Sequence, residues 1–240
     1  MANLIIDIGN TALKAAWSDG VTLGKTYRYQ GERCSDFILD LVQKVKPEVM
    51  VISTVREISQ KYYELFRKQC GRLVIMDSNH TEDIVAHGIP SFITPDRAAS
   101  IIASRYLFKG KKCTVFDFGT ILTVDFLEHD GRYSGGNISV GCRTRFKSVN
   151  RYSKSLPLLD TPENIEEKGM SLSSSIETGI ISGIMFEIKG YIESYPENIV
   201  VFTGGDAIYF AKRMKNSIFV VCNLVLMGLA LIADEYVKNI

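Results

Sequence analysis

Asn3-Leu4-Ile5-Ile6-Asp7-Ile8-Gly9-Asn10-Thr11 decides how the rest of the chain is read. The short apolar run reads as a buried strand. Asp7 ends it, and Gly9 lets the backbone turn tightly. Leu13 to Trp17 and Thr26 to Tyr29 follow as hairpin partners, broken at Asp19-Gly20. The same order returns 110 residues later. Cys113 to Phe116 is apolar, Asp117 ends the run and Gly119 turns it. Leu122 to Leu127 reads as the next strand, and His129-Asp130-Gly131 turns that into Arg132-Tyr133-Ser134. The repeat reads as an internal duplication with a boundary near residue 110, giving one domain over 1–111 and a second over 112–240.

The segments between these strands have helical spacing. Ser35 to Val45 places Phe37, Ile38, Leu41, Val42 and Val45 on one face. Val49 to Ile52 reads as a strand, Gln60 to Cys70 as a helix, and Leu73 to Met76 as a strand. Thr94 is placed as an N-cap and Pro95 as the first residue of a helix to about Tyr106. In the second half, helix Ile176 to Tyr191 precedes strand Ile199 to Phe202. A helix to about Met214, strand Ile218 to Val221 and helix Leu224 to Val237 complete the chain. Strands alternating with helices predict an α/β layered architecture.

Composition narrows the function. Among 240 residues, 28 lysines and arginines meet 27 acidic residues, a net charge of +1. A protein that lives on nucleic acid carries a basic surplus, so nucleic acid is not the expected partner. The basic run Arg143, Arg145, Lys147, Arg151, Lys154 reads as a solvated helix face. Five scattered cysteines with no CxxC spacing predict reduced thiols. The charge-free run Ser217 to Ala233 contains Asn223 and is shorter than the roughly 20 residues of a membrane span. No basic n-region precedes the first apolar run, and the expected location is cytoplasmic.

The chemistry lies in the turns. Exposed amides in Asp7-Ile8-Gly9-Asn10-Thr11 and Asp117-Phe118-Gly119-Thr120 would donate to phosphate oxygens, helped by the Thr11 and Thr120 hydroxyls. Lys14 would neutralise phosphate charge. Asp7 and Asp117 offer hard oxygen donors to Mg²⁺, its waters or a monovalent cation. Gly204-Gly205 is a third glycine turn after an apolar strand. GxxxxGK[ST] and GxGxxG are both absent. Asp96, in the first turn of a helix, would sit where the helix dipole favours a carboxylate, as a proton acceptor needs.

Asp7-Ile8-Gly9-Asn10-Thr11, Thr94-Pro95-Asp96-Arg97, Asp117-Phe118-Gly119-Thr120, Gly135-Gly136-Asn137-Ile138 and Thr203-Gly204-Gly205 occur in the order and spacing of the type III pantothenate kinases. The chain resembles that family, within the actin, sugar kinase and heat-shock ATPase superfamily, from residue 3 to about 230. The resemblance implies two ribonuclease-H-like (actin-like ATPase) domains facing a nucleotide cleft. It implies phosphorylation of pantothenate by ATP, with Mg²⁺ and K⁺ or NH₄⁺ as cofactors, in a homodimer that shares its active site. Residue by residue, it implies that Asp7, Ile8, Gly9, Asn10, Thr11, Ala12, Leu13 and Lys14 form the first phosphate-binding loop, with Asp7 holding Mg²⁺ directly or through water. Asp117 becomes the monovalent-cation ligand, Thr120 the second ATP contact, and Gly204 and Gly205 the adenosine-side turn. Thr94, Pro95, Asp96 and Arg97 become the pantothenate loop, with Asp96 the catalytic base and Arg97 facing the substrate carboxylate. His87 stands about where the family has a pocket tyrosine, Thr94 where it has glycine, and Leu172 where it has a substrate-binding threonine. The alternatives are another kinase of the superfamily, a nucleotide-binding regulator without turnover and, against the threonine-rich phosphate loops and near-zero net charge, a carboxylate-metal nuclease of the same fold. Gly135 to Leu156, with Ile138, Val140, Phe146 and Val149 among basic residues, is the expected dimer surface.

Overall fold

The computed structural model describes residues 2–238. In chain order the elements are β1 (Asn3–Ile8), β2 (Leu13–Asp19), β3 (Thr22–Tyr29), α1 (Cys34–Val42), β4 (Val49–Thr54), α2 (Gln60–Gln69), β5 (Arg72–Met76), α3 (Glu82–Ala86) and α4 (Pro95–Leu107). There follow β6 (Cys113–Phe118), β7 (Ile121–Leu127), β8 (Tyr133–Val140), α5 (Cys142–Tyr152), α6 (Leu172–Ser194), β9 (Ile199–Gly204), α7 (Ala207–Ala211), β10 (Ile218–Val220) and α8 (Leu224–Lys238). The strands form two five-stranded sheets, β3-β2-β1-β4-β5 and β10-β9-β6-β7-β8. Each is a hairpin meander joined edge to edge to a parallel pair. The duplication seen in the opening strands therefore extends to all five strands of each sheet. The architecture is the two-domain, ribonuclease-H-like α/β fold that the resemblance implied.

The chain divides into two compact units, 2–109 with 223–238, and 110–222. The expected second domain, 112–240, differs from the second unit at its far end, because α8 packs with the first. Small residues are the reason. Gly228 of α8 lies so close to α4 that a Cβ on it would overlap the Ala99 carbonyl oxygen. Ala98, Ala103 and Ala230 are fully buried on the same two helices. In the first unit, Leu4, Ile6, Met50 and Ile52 face α1 and α2. Alternation along the strands sends Ile5 and Val51 to the opposite face, which α4 and α8 cover.

In the second unit, Phe116, Phe118, Phe202 and Phe210 form one aromatic cluster under α5, α6 and α7. Each such ring contributes about 1.5–3 kcal/mol by leaving water. Phe146 belongs to this core at 1% exposure, which corrects its expected place on a dimer surface. Ile138 and Val140 of that stretch are exposed. Helix α6 starts earlier than its apolar spacing shows, because Ser171 and Ser174 form a capping box. Helix α1 stops at Val42, so Val45 lies beyond its apolar face, half-exposed.

Candidate active site

In the first unit, β-register sets Lys14 opposite Asp7 on one side and Ser53 beside it on the other. Residues in register share a face, so the three make a polar row across β2, β1 and β4. Ser53 Oγ donates to Asp7 Oδ1 at 3.3 Å. The second unit repeats the row as Thr123, Asp117 and Thr203 across β7, β6 and β9. Asp7 and Asp117 are both half-buried at the ends of their strands.

A turn follows each aspartate. The Gly9 N–H donates to the Ala12 carbonyl at 3.1 Å, and the Gly119 N–H to the Ile121 carbonyl at 3.1 Å. Both glycine amides are thus used inside their own turns. Asn10, Thr11, Gly119 and Thr120 are exposed there, and Ala12 and Lys14 half-buried. Ile8 and Leu13 point into the core, so their side chains offer a nucleotide nothing. Neither Gly9 nor Gly119 takes a positive φ. A Cβ on either would meet a carbonyl oxygen at 3.5 Å, an ordinary contact. The fold itself would accept alanine at both, so glycine there leaves room for a group outside the chain. Gly204 is different. Its φ is +91°, and a Cβ would overlap Asp117 Oδ1. The end of β9 is thereby pressed against that carboxylate, while Gly205 is exposed.

Helix α4 carries the third motif. Thr94 has the extended backbone of an N-cap, but its hydroxyl does not cap. It donates instead to Asp96 Oδ1 at 2.5 Å, and the Arg97 N–H reaches the same oxygen at 2.9 Å. Asp96 Oδ1 is held in this way, with the residue half-buried at the helix start. Pro95 and Arg97 are buried; at 6% exposure Arg97 is no surface arginine. His87 follows α3 and is tied down: Nδ1 lies 2.6 Å from the Asp83 carbonyl and Nε2 3.2 Å from Glu235 Oε2. The structure thus gathers 7–14, His87 and 94–97 in the first unit, and Asp117, Thr120, Leu172, Gly204 and Gly205 in the second. Leu172 is the exposed first residue of α6.

Two features had no signal in the sequence. Arg56, just past β4, donates through Nη2 to the Asn10 carbonyl at 2.7 Å. The second is a cavity of about 710 Å³ beginning three residues after Gly205. Asn164, Ile165, Met185, Ile208, Tyr209 and Arg213 line it. The Arg213 guanidinium stacks 3.5 Å from the Tyr209 ring centroid, and the Tyr209 hydroxyl donates to the Pro162 carbonyl. Burial pushes the nearby Asp206 carboxyl above its ordinary range. The basic run is partly neutralised, since Arg143 pairs with Asp160 and Arg145 with Glu187. Among the described residues no three His, Cys, Asp or Glu side chains cluster as a metal cage. The aspartates of the turns offer only hard oxygens, which suits a cation that keeps water and phosphate oxygens as its other ligands.

Comparison with known proteins bears on the family and the fold. A profile of the family described as type III pantothenate kinase matches residues 3–194. A protein named type III pantothenate kinase from Phocaeicola vulgatus is 35% identical over 236 residues, covering 95% of this chain and 96% of that one. Among solved structures, a putative Baf family transcriptional activator from Campylobacter jejuni superposes with a TM-score of 0.64 at 19% identity, covering 98% of this chain and 99% of that one. A ROK hexokinase from Thermus thermophilus gives 0.57 at 13% identity, covering 99% of this chain and 100% of the other. At such identities the likeness is one of fold. Among the described residues no helix is long and apolar enough to cross a membrane.

Proposed function

This chain belongs to the type III pantothenate kinases, and we propose how its residues divide the work of that activity. The reaction moves the γ-phosphoryl group of ATP to the pantothenate hydroxyl, giving ADP and 4'-phosphopantothenate, the first step of coenzyme A biosynthesis. The amides after Gly9 take phosphate oxygens, and Lys14, on the same face as Asp7, offsets their charge. Asp7 would hold Mg²⁺ through water, and that ion would supply charge neutralisation on the phosphates. In the second unit Thr120 is a further phosphate contact, and Asp117 holds K⁺ or NH₄⁺. Gly204 and Gly205 take the nucleoside side. The Tyr209–Arg213 cavity suits a flat, stacked base.

Asp96 accepts the hydroxyl proton as the oxygen attacks the γ-phosphorus and the bond to the β-phosphate oxygen breaks. Thr94 and the Arg97 amide orient its carboxylate for this step. In a loose transition state that proton transfer is a modest part of the barrier, and positioning is the larger part. Arg97, His87 and Leu172 are assigned to pantothenate. The protein works as a cytoplasmic homodimer, with exposed Ile138 and Val140 on β8 and Leu172 and Phe186 on α6 as the surface to be covered.

One observation carries this reading. Gly9 and Gly119 occupy turns that would tolerate a Cβ, each beside an aspartate in a polar row, and a close-approaching anion explains both. Chromatography of ADP and product after incubation with ATP, Mg²⁺, K⁺ and pantothenate tests it. ADP should form only with pantothenate and match 4'-phosphopantothenate mole for mole. Asp96→Asn should keep ATP binding and lose about 10²-fold or more in kcat. Wild-type turnover in that variant would remove Asp96 from the chemistry.

A further inference from the structure

Arg56 belongs to no motif and stands in an ordinary-looking segment, Thr54-Val55-Arg56-Glu57. Its surroundings are specific. The Val55 N–H donates to the Ile8 carbonyl at 3.1 Å, carrying the β1–β4 ladder one step past the end of β4. The buried Thr54 hydroxyl then folds the chain back, accepting from the Arg56 N–H at 3.0 Å and donating to the Arg56 carbonyl at 2.8 Å. That fixes where the half-buried side chain starts. The guanidinium at its end bridges two other elements. Nη2 donates to the Asn10 carbonyl at 2.7 Å, and Nη1 reaches Cys34 Sγ, the first residue of α1, at 3.6 Å. The Cys34 thiol is itself anchored on the Gly31 carbonyl at 3.4 Å.

Peptide geometry gives this contact a consequence. The Asn10 carbonyl and the Thr11 N–H belong to one planar trans peptide and point in opposite directions. Holding the carbonyl therefore aims the amide away from Arg56. The Gly9 N–H is already committed to the Ala12 carbonyl, so the two bonds together fix the turn. We propose that Arg56 is a positioning residue for ATP: its guanidinium holds the Asn10 carbonyl and with it the conformation in which the 9–12 turn meets the phosphates, and its charge adds positive potential beneath the turn. Lysine would not reproduce this, because one ammonium cannot present a planar fork to a carbonyl and a thiol in different directions. The proposal rests on the assignment of the 9–12 turn to ATP phosphates.

The experiment measures Arg56→Ala and Arg56→Lys beside the wild type. It reads kcat and both KM values, ADP and ATP affinity by calorimetry without pantothenate, and melting temperature. Arg56→Ala should weaken ATP by about tenfold or more, the size expected for a lost charge-assisted hydrogen bond. Its KM for pantothenate should stay within about twofold. Arg56→Lys should fall between it and the wild type. Added ethylguanidinium should restore part of the ATP affinity to Arg56→Ala and none to the wild type. Unchanged nucleotide affinity in Arg56→Ala overturns the proposal. So does a parallel rise in both KM values with a collapsed melting temperature that Arg56→Lys fully repairs, since that is a purely structural role. Failure of the pantothenate assignment would show instead as no pantothenate-dependent ADP in the wild type, while calorimetry still reads Arg56 against nucleotide.

Discussion

The two Asp-x-Gly turns end equivalent strands in sheets of the same order, yet they are fastened differently. After β4 the first unit places Arg56, whose guanidinium holds the turn through the Asn10 carbonyl. Two residues past β9, the matching position in the second unit is Asp206, whose carboxylate side chain cannot donate to a carbonyl; only its N–H does so, reaching the Phe118 carbonyl at 3.4 Å. The carbonyl within the second turn is held from the hairpin side. The Thr120 carbonyl accepts from the Gly141 N–H at 3.2 Å and from Thr144 Oγ1 at 2.8 Å, both at the start of α5. The duplication preserved the turn and not its fastening. One turn hangs on a replaceable side chain. The other is held by a backbone amide and the Thr144 hydroxyl together, and the backbone contact admits only glycine: a Cβ on Gly141 would overlap the Gly119 carbonyl oxygen.

Three substitutions would break or sharpen this contrast. Gly141→Ala has the largest expected effect. It must push the second turn away from α5, and should cost about 3 kcal/mol or more in denaturant unfolding, with kinase activity lost. Gly9→Ala should separate stability from function. With a 3.5 Å contact and no positive φ, its folding free energy should stay within about 1 kcal/mol of wild type. Its KM for ATP should still rise about tenfold or more, because the methyl stands where the phosphate must approach. A large loss of stability in Gly9→Ala would mean that the turns are fastened alike. Asp206→Asn is the smallest. Burial raises the Asp206 pKa above its unfolded value, so its ionised form weakens the fold as pH rises out of the acid range. The variant should therefore melt slightly higher at neutral pH, with the gain vanishing at acid pH; a gain that grows on acidification would reverse the sign.

What was legible in the sequence was local. Asn3 to Ile6 and Cys113 to Phe116 are compact apolar runs closed by aspartate, and strands of that kind show in composition alone. The hairpins, the α/β layering and the repeat followed from them. The partner of α8 did not, because Gly228 meeting Ala99 is a contact between segments far apart in the chain. Phe146 looked like surface among its basic neighbours, but the helical turn of α5 carries it inward while Lys147 stays out. Thr94 was read as a cap by type and position. A two-residue reach to the Asp96 carboxylate captured its hydroxyl instead. Arg56 was invisible for a different reason: a lone arginine after a strand is common, and only the register of β1 against β4 brings it under the turn.

The division of labour between the turns can be measured directly as the rate of ADP and 4'-phosphopantothenate formation in KCl against NaCl at equal ionic strength. Chromatographic detection keeps coupling enzymes, with their own salt requirements, out of the reading. The expected result is turnover by the wild type in K⁺ and almost none in Na⁺. Asp7→Asn should keep that K⁺ response while needing more Mg²⁺, and Asp117→Asn should lose the distinction between the two salts. Equal wild-type rates in Na⁺ and K⁺ would contradict the assignment of Asp117, and with it the separate roles of the two turns.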